Sequence, residues 1–227
     1  GQREDFVGCE RGAQAPVIDM GTLNFSLTRT APKSMGKILD PNYFFSRERA
    51  YLLLGYAESE FLKAEAALRG WAGMELTGTA EEYYKSGIKA SMEYYGIAND
   101  KAQAYIDGLK TLTTDKVFEG GDKEKQLEAI ITQKWMAIFP NGNEGWAEFR
   151  RTDYPALANQ LINNSGGDVP MGKNIKRILY PLSENSNSYF TSHPELLQVN
   201  TQGNRLWWDV ADTNDDSGNR VQPNNFR

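Results

Sequence analysis

The sequence predicts a mainly α-helical protein with an irregular, loop-rich C-terminal subdomain. Apolar residues recur at steps of three and four in four segments that also carry helix-capping residues, and no segment shows the sustained alternation of a half-buried strand. Asn, Gly and Ser become dense over 157–173, which predicts a long loop. We treat all 227 residues as one domain with an irregular lead-in, 1–45, a helical part, 46–155, and a loop-rich part, 156–227.

Ser46 can cap the first predicted helix, which ends near Gly70. The apolar residues of this helix follow a period of 3.6 residues, so they share one side of it. They are Leu54, Ala57, Phe61, Ala64 and Leu68. The first helix is therefore amphipathic, and Phe61 lies at the centre of its apolar side.

A capping box starts the second predicted helix. In Thr79-Ala80-Glu81-Glu82, the threonine hydroxyl and the Glu82 carboxylate each accept a hydrogen bond from the other residue's backbone amide. Gly96 supplies the usual stop at the other end. The residues expected on one face are Tyr84, Ile88, Met92 and Tyr95. This segment is thus a second amphipathic helix, predicted to run antiparallel to the first.

The two helices carry small residues where they would cross. These are Gly55, Ala57, Ala64 and Ala67. Two antiparallel helices with a short connection form the unit of tetratricopeptide-like repeats. Because repeats bury a continuous core only by stacking, one pair must pack against other helices of this chain or against further sequence.

Two more helices are predicted beyond this pair. A weaker helix starts at Asn99 or Asp100. Its buried side comprises Tyr105, Leu109 and Leu112. A stronger helix is capped by Asp122 and stopped by Pro140. Its apolar stripe consists of Leu127, Ile131, Trp135 and Ile138.

A last, short helix carries Trp146, Phe149 and Arg150 and ends at the turn Asp153-Tyr154-Pro155. Large aromatic rings supply much of the area that a core buries. We therefore expect Trp135 and Trp146 to lie in the core.

Composition argues against several kinds of function. The net charge is −5 and the pI is about 5.1, and no cluster of Lys and Arg offers the phosphate contacts that nucleic acid requires. The single cysteine, Cys9, leaves no internal disulfide and is interpreted as a plain thiol. With one histidine, His193, there is no ligand set for structural zinc. No apolar run is long enough to span a bilayer.

No cofactor or metal is expected. The segment 212–218 has oxygen-bearing side chains at alternating positions, as calcium loops do, but its glycine comes one position late and no glutamate closes the loop. A solvated turn is the favoured interpretation. A catalytic triad is not favoured either, because His193 precedes a proline in a polar loop where nothing orients it, although a lysine base is possible.

Two carboxylates invite an enzymatic interpretation. Glu58 and Glu65 share a helix face, but the rise between them would be about 10 Å. A retaining glycosidase needs about 5 Å between its carboxylates and an inverting one about 6.5 to 9.5 Å. We therefore favour half-buried acids that pair with a cation such as Arg150, Arg151 or Lys134. A glycan hydrolase that uses Glu58 and Glu65 is the weaker alternative.

Aromatic side chains are the candidate ligand contacts, because apolar sugar faces stack on flat rings. Tyr43 and Phe44 lie in a proline-bounded loop, and Trp207 and Trp208 precede a polar tail. These four residues are predicted to bind ligand. The alternative, and the more frequent role for such rings, is packing against the helix pair.

Five strings follow one another in a specific order and spacing. They are YAESEFLKAEAALRGW, AEEYYKSGIKASMEYYGI, LEAIITQKWMAIFPNGNEGWAEFRRTDYPAL, RILYPLSENSNS and RLWWDV. Together they resemble the C-terminal half of the SusD/RagB family of Bacteroidetes surface lipoproteins, over roughly residues 17–210. The resemblance implies a helical domain with tetratricopeptide-like helix pairs and an irregular C-terminal subdomain.

The resemblance also implies a function. Family members are non-enzymatic lids that capture nutrients, mostly glycans, and deliver them to a SusC-like TonB-dependent outer-membrane transporter, while some serve peptide uptake. The expected partners are thus this transporter and an oligosaccharide or peptide, and the expected location is the cell surface, through an N-terminal lipid anchor absent from this chain. A helical-repeat scaffold that binds peptides or proteins in its groove is the alternative.

Overall fold

In the computed structural model, the described residues are 52–73, 75–109, 117–157, 164–169, 173–195, 200–209 and 225–226. The helices that are described from end to end are six α-helices and one 3-10 helix, and no described residue lies in a strand, which confirms the mainly α fold. The helices are α1 (Tyr56–Arg69), α2 (Ala80–Tyr94), α3 (Asn99–Leu109), α4 (Lys123–Ala137), α5 (Gly142–Thr152) and α6 (Ser188–Ser192), with the 3-10 helix at Leu182–Ser186. None of these helices combines the length and apolar character needed to cross a bilayer.

The described residues fall into two compact units. The helical unit contains residues 52–149, 153–155 and 225–226, apart from the gaps given above. The loop-rich unit contains residues 150–152 and 156–209, with the same exception. Helices α1 to α4 and most of α5 therefore belong to the helical unit, and α6 and the 3-10 helix to the loop-rich unit.

Helix α1 buries most of the side that its period predicted. Phe61, Ala64 and Leu68 are buried, and the helix ends as predicted at Gly70, whose φ of 65° is left-handed. The prediction for Leu54 was wrong, because its side chain is 60% exposed and precedes the helix. Gly55 is the extended N-cap, so α1 begins ten residues after Ser46, which lies outside the described residues.

Helix α2 begins with the predicted capping box. Thr79 Oγ1 accepts a hydrogen bond from the Glu82 amide at 3.2 Å, and the Glu82 carboxylate accepts one from the Thr79 amide at 2.7 Å. Gly96 has a φ of 74° just after the helix end, as a helix-stopping glycine requires. The predicted face is confirmed, because Ile88 and Tyr95 are buried and Tyr84 and Met92 pack against the core.

The close approach of α1 and α2 depends on a glycine that the sequence analysis did not single out. A Cβ placed on Gly87 would lie 2.8 Å from Cε1 and Cζ of Phe61. No methyl group fits at that distance, so the Phe61 ring occupies the space that a side chain at position 87 would need. Of the small residues predicted at the crossing, Ala64 is completely buried.

Helix α3 begins at Asn99 as predicted, but its most buried residues differ from the expected ones. Ala102 and Ile106 are buried, whereas Tyr105 and Leu109 are only partly so and Leu112 lies outside the described residues. The buried face of α3 is therefore displaced by one residue from the predicted face. The packing of α3 on α2, and not the size of the side chains, determines which positions are buried.

Helix α4 is capped by Asp122, whose Oδ1 accepts hydrogen bonds from the amides of Glu124 and Lys125. Its core positions include Leu127 and Ile131, as predicted. Trp135, however, is 40% exposed, so its assignment to the core was wrong. The buried position is instead 134, seven residues after the buried Leu127. Seven residues bring a helix back to within about 20° of its starting direction, so positions 127 and 134 share one face.

The core of the helical unit joins five segments. Its buried members are Phe61, Ala64, Leu68, Ile88, Ile106, Leu127, Ile130, Ile131 and Tyr154. They come from α1 to α4 and from the turn that follows α5, which is the predicted Asp153-Tyr154-Pro155 turn. The helix pair α1 and α2 therefore packs against other helices of the same chain, as a single repeat requires.

Irregular backbone dominates the described residues of the loop-rich unit. The carbonyl of Gln202 accepts hydrogen bonds from the amides of Lys176 and Arg177, at 2.8 and 3.3 Å, and the Asp168 carbonyl accepts one from Gly203 at 2.9 Å. These bonds connect three stretches that are distant in sequence. The order of this unit therefore comes from isolated backbone bonds and side-chain contacts, as the composition predicted.

Candidate functional site

Four charged groups meet between three helices of the helical unit. Lys134 on α4 is 1% exposed, and its Nζ lies 2.8 Å from a Glu148 oxygen and 3.3 Å from a Glu144 oxygen, both on α5. The Glu58 carboxylate on α1 lies 3.7 Å from the same nitrogen. The predicted pairing of Glu58 with Lys134 is therefore confirmed.

The electrostatics of this cluster are those of a structural ion network. Burial raises the pKa of Glu58, the charge of Lys134 opposes this rise, and Glu144 and Glu148 add to it. Burial would lower the pKa of Lys134, but the three carboxylates outweigh it and raise that pKa. Lys134 therefore stays charged and ties α1, α4 and α5 together.

Glu65 is held elsewhere. Its buried carboxylate accepts a hydrogen bond at 2.7 Å from Nε of Arg69, one helical turn further along α1. Arg69 was not among the predicted partners, which were Arg150, Arg151 and Lys134. An acid followed by a cation four residues later is the favourable order on a helix, and it needs no tertiary contact. Glu58 and Glu65 thus each pair with a different cation.

Arg150 belongs to the loop-rich unit and supports one of the predicted tryptophans there. Its guanidinium lies 4.9 Å from the ring centroid of Trp208, and Nη1 donates to the Lys176 carbonyl at 3.1 Å. Burial lowers the pKa of Arg150, and the charge of Asp209 opposes this effect. Trp208 is thus partly buried and packs on a cation.

Trp207, the neighbouring residue, is 94% exposed. The turn that carries it is held by a buried ion pair, in which Lys176 Nζ lies 3.3 Å from Asp209 Oδ1. The Asp209 amide also donates to the Leu206 carbonyl at 2.9 Å. Trp207 is therefore an exposed flat ring on an anchored turn.

A second aromatic group lies in α6 and on both sides of it in the sequence. Tyr189, which is largely exposed, stacks on the His193 ring at 4.5 Å, and His193 Nδ1 lies 2.9 Å from the Tyr189 carbonyl oxygen. The expectation that nothing orients His193 was therefore wrong. Phe190 packs on Tyr180 at 5.0 Å, and Arg177 lies 4.3 Å from the centre of the Tyr180 ring. The spacing of Tyr189 and His193 by one helical turn was the missed signal.

Two predicted regions lie outside the described residues. They are Tyr43 with Phe44, and the polar segment 212–218 considered for calcium. Within the described residues, no group of three or more His, Cys, Asp or Glu side chains could hold a metal ion. Of the four predicted ligand contacts, the structure thus places Trp207 on the surface and Trp208 against Arg150.

Comparison with protein families identifies one match. A SusD-like family model, described as starch-binding and associating with the outer membrane, matches residues 6–181. This range is more than half of the chain. No curated protein sequence matches the chain.

Several solved structures are similar to this chain. A chitin-binding SusD homologue from Flavobacterium johnsoniae is 34% identical, with a TM-score of 0.55, over 68% of this chain and 36% of that one. A SusD homologue from Bacteroides ovatus is 32% identical, with a TM-score of 0.52, over 68% and 37%. One from Bacteroides thetaiotaomicron is 29% identical, with a TM-score of 0.56, over 68% and 38%.

The chain therefore spans little more than a third of the length of these homologues. The helices and their order agree with the predicted tetratricopeptide-like architecture. Since the family model matches most of the sequence and the similar structures carry the same family description, the chain belongs to the SusD-like family.

Proposed function

We propose that the protein is a non-enzymatic binding component of outer-membrane nutrient uptake, which captures glycans at the cell surface. The family description names starch binding and the outer membrane, and one similar solved protein is described as chitin-binding. The carboxylates considered for a hydrolase support binding over catalysis, because Glu58 and Glu65 are held by separate cations.

The exposure of Trp207 on an anchored turn is the observation that carries this proposal. An indole ring that is 94% exposed leaves a large apolar surface in water. The Lys176–Asp209 pair and the packing of Trp208 on Arg150 restrain the turn before any ligand arrives. A restrained ring loses little conformational freedom when a sugar stacks on it, which favours binding.

Titration with maltooligosaccharides and chitooligosaccharides, followed by calorimetry, tests this proposal. We expect Trp207→Ala to weaken binding by about tenfold or more, which is the effect of removing a central aromatic contact. Trp71→Ala removes an exposed tryptophan of the helical unit and should bind like the wild type. Equal binding by the wild type and Trp207→Ala would remove Trp207 from the site, and failure of the whole parent protein to bind any oligosaccharide would refute the glycan proposal.

The partner and the anchor belong to the same proposal. A protein that associates with the outer membrane, as the family description has it, and binds glycans needs a route for its ligand into the cell. We propose a SusC-like TonB-dependent transporter for this role. We expect the parent protein to be lipid-anchored and to copurify with the transporter encoded beside its gene. Recovery of the parent protein in the soluble fraction, without acyl label and without the transporter, would contradict this expectation.

A further inference from the structure

A two-residue segment, Asn225–Phe226, is docked on the helical unit, far in sequence from its contacts. The Asn225 backbone amide donates to Glu124 Oε2 at 2.8 Å, and its side-chain amide donates to Glu124 Oε1 at 2.6 Å. Arg69 Nη1 donates to the Asn225 carbonyl at 3.0 Å. One residue is thus recognised through its backbone amide, its backbone carbonyl and its side chain.

The aromatic residue of the segment is recognised by cations and by the core. The Phe226 ring centroid lies 4.9 Å from the Arg69 guanidinium and 5.8 Å from Lys123 Nζ. The ring is partly buried and packs against the apolar core of the unit. The ring thus makes apolar contacts with the core and cation–π contacts with Arg69 and Lys123.

Both recognising side chains are held by neighbours that do not touch the segment in these contacts. Glu65 accepts from Arg69 Nε at 2.7 Å, which orients the guanidinium and gives the buried Glu65 carboxylate a role. Tyr154, also buried, donates its hydroxyl to Glu124 Oε1 at 3.1 Å. Glu124 lies in the first turn of α4, where a carboxylate is favoured. The site is therefore preorganised around two charges of opposite sign.

We propose that Arg69 and Glu124 form a recognition site for an extended peptide segment of Asn–aromatic sequence, which Asn225–Phe226 occupies within the chain. The ligand is a peptide, because the Glu124 carboxylate accepts hydrogen bonds from a backbone amide and a side-chain amide of one residue, and the Arg69 guanidinium donates to the backbone carbonyl of the same residue. The segment acts as a strap that holds the end of α1 to the start of α4. The site belongs to the helical unit and Trp207 to the loop-rich unit, and the proposal does not depend on glycan binding.

The experiment uses the full chain with the double change Asn225→Ala/Phe226→Ala, which removes both side chains that the site recognises and so weakens its hold on the segment. A fluorescent peptide of residues 220–227, RVQPNNFR, is titrated and followed by anisotropy. We expect it to bind the double variant and to raise its lowered melting temperature. The wild type should bind at least about tenfold more weakly, because its own segment is present at a high effective concentration.

Three changes locate the binding. Replacing Asn225 by Ala in the peptide should weaken binding by about tenfold, the effect of losing its one charge-assisted side-chain hydrogen bond. Glu124→Gln or Arg69→Met, added to the double variant, should do the same. Glu65→Gln should weaken binding less than Arg69→Met, because Glu65 acts through Arg69. A scrambled peptide of the same composition is the control.

Asn225→Asp is a milder way to open the strap, because it sets a carboxylate against Glu124. It should lower the melting temperature and allow the peptide to bind. Combination with Glu124→Gln should restore the melting temperature of the wild type and its weak binding of the peptide. The proposal is overturned if the peptide binds no better than its scrambled control to Asn225→Asp and to the double variant. It is equally overturned if the wild type and these two variants bind the peptide with the same affinity.

Discussion

The ring of Phe61 lies directly against the backbone of Gly87, so that a Cβ at position 87 would be 2.8 Å from two ring carbons. This contact sets how closely α1 and α2 approach. Core packing at this point therefore requires glycine at position 87 as well as the ring of Phe61.

Gly87→Ala should destabilise the protein by about 1 to 2 kcal/mol, since the strain of overpacking exceeds the helix propensity that alanine adds. Gly108→Ala is the matched control, because Gly108 also lies within a helix but has nothing within 4 Å of its would-be Cβ. That change should stabilise by about 0.5 to 1 kcal/mol. Urea unfolding measures both, and a stabilising Gly87→Ala would contradict the close approach.

Phe61→Ala should cost about 3 to 5 kcal/mol, which is the range for emptying a core of a large ring. The ring is buried and touches both helices of the pair. The side chain of the neighbouring Leu62 is 39% exposed, whereas that of Phe61 is 1% exposed, so Leu62→Ala should cost less than about 1 kcal/mol. A loss of similar size in the two variants would show that α1 presents a different face to the core.

Lys134→Met should destabilise by about 3 to 5 kcal/mol, because it leaves three carboxylates close together without their shared cation. Lys125 lies on the same helix in an exposed pair with Asp122, and Lys125→Met should change stability by less than about 1 kcal/mol. Thermal and urea unfolding compare the two variants. A tolerated Lys134→Met would show that this cation does not hold the three helices together.

The raised pKa of Glu58 makes stability depend on pH. Because burial lets the folded protein hold this proton more tightly than the unfolded chain does, the stabilisation is complete below the unfolded pKa and is lost as the pH rises through the folded one. Glu58→Gln cannot ionise. Its stability should therefore rise relative to the wild type between about pH 4 and about pH 7, as measured by urea unfolding. A relative fall over that interval would show that attraction to Lys134 dominates.

Lys176→Met should loosen the turn that carries Trp207, because it breaks the buried ion pair between Lys176 and Asp209. We expect a loss of about 3 to 5 kcal/mol in the loop-rich unit and faster proteolysis near residues 200–209. If the glycan proposal is right, oligosaccharide affinity falls as well. Lys173→Met, which removes a half-buried lysine three residues earlier, is the control. Unchanged proteolysis of the Lys176 variant would show that the pair does not anchor the turn.

Part of the candidate site was predictable. The aromatic pair Trp207 and Trp208 was selected from residue type and a polar surrounding, but their different roles were not visible. Trp208 packs on Arg150, which is distant in sequence, while Trp207 remains exposed. The docking of Asn225 on Glu124 had no sequence signal at all, since 101 residues separate the two partners.

The sequence by itself determined the features that depend on one or two helical turns. The Thr79–Glu82 capping box, the Asp122 cap and the stop at Gly70 each join residues within a few positions, so local chemistry is sufficient to define them. The order of the helices followed from the same signals.

Only the tertiary structure decided which long-range partners meet. It placed Lys134 inward and Trp135 outward, although the two residues are adjacent, because the packing of α1 and α5 on α4 selects the face. It also brought the Asn225 carbonyl to Arg69, whose guanidinium is oriented by Glu65. Such contacts depend on how loops close and helices pack, and these non-local energies leave no periodic pattern in the sequence.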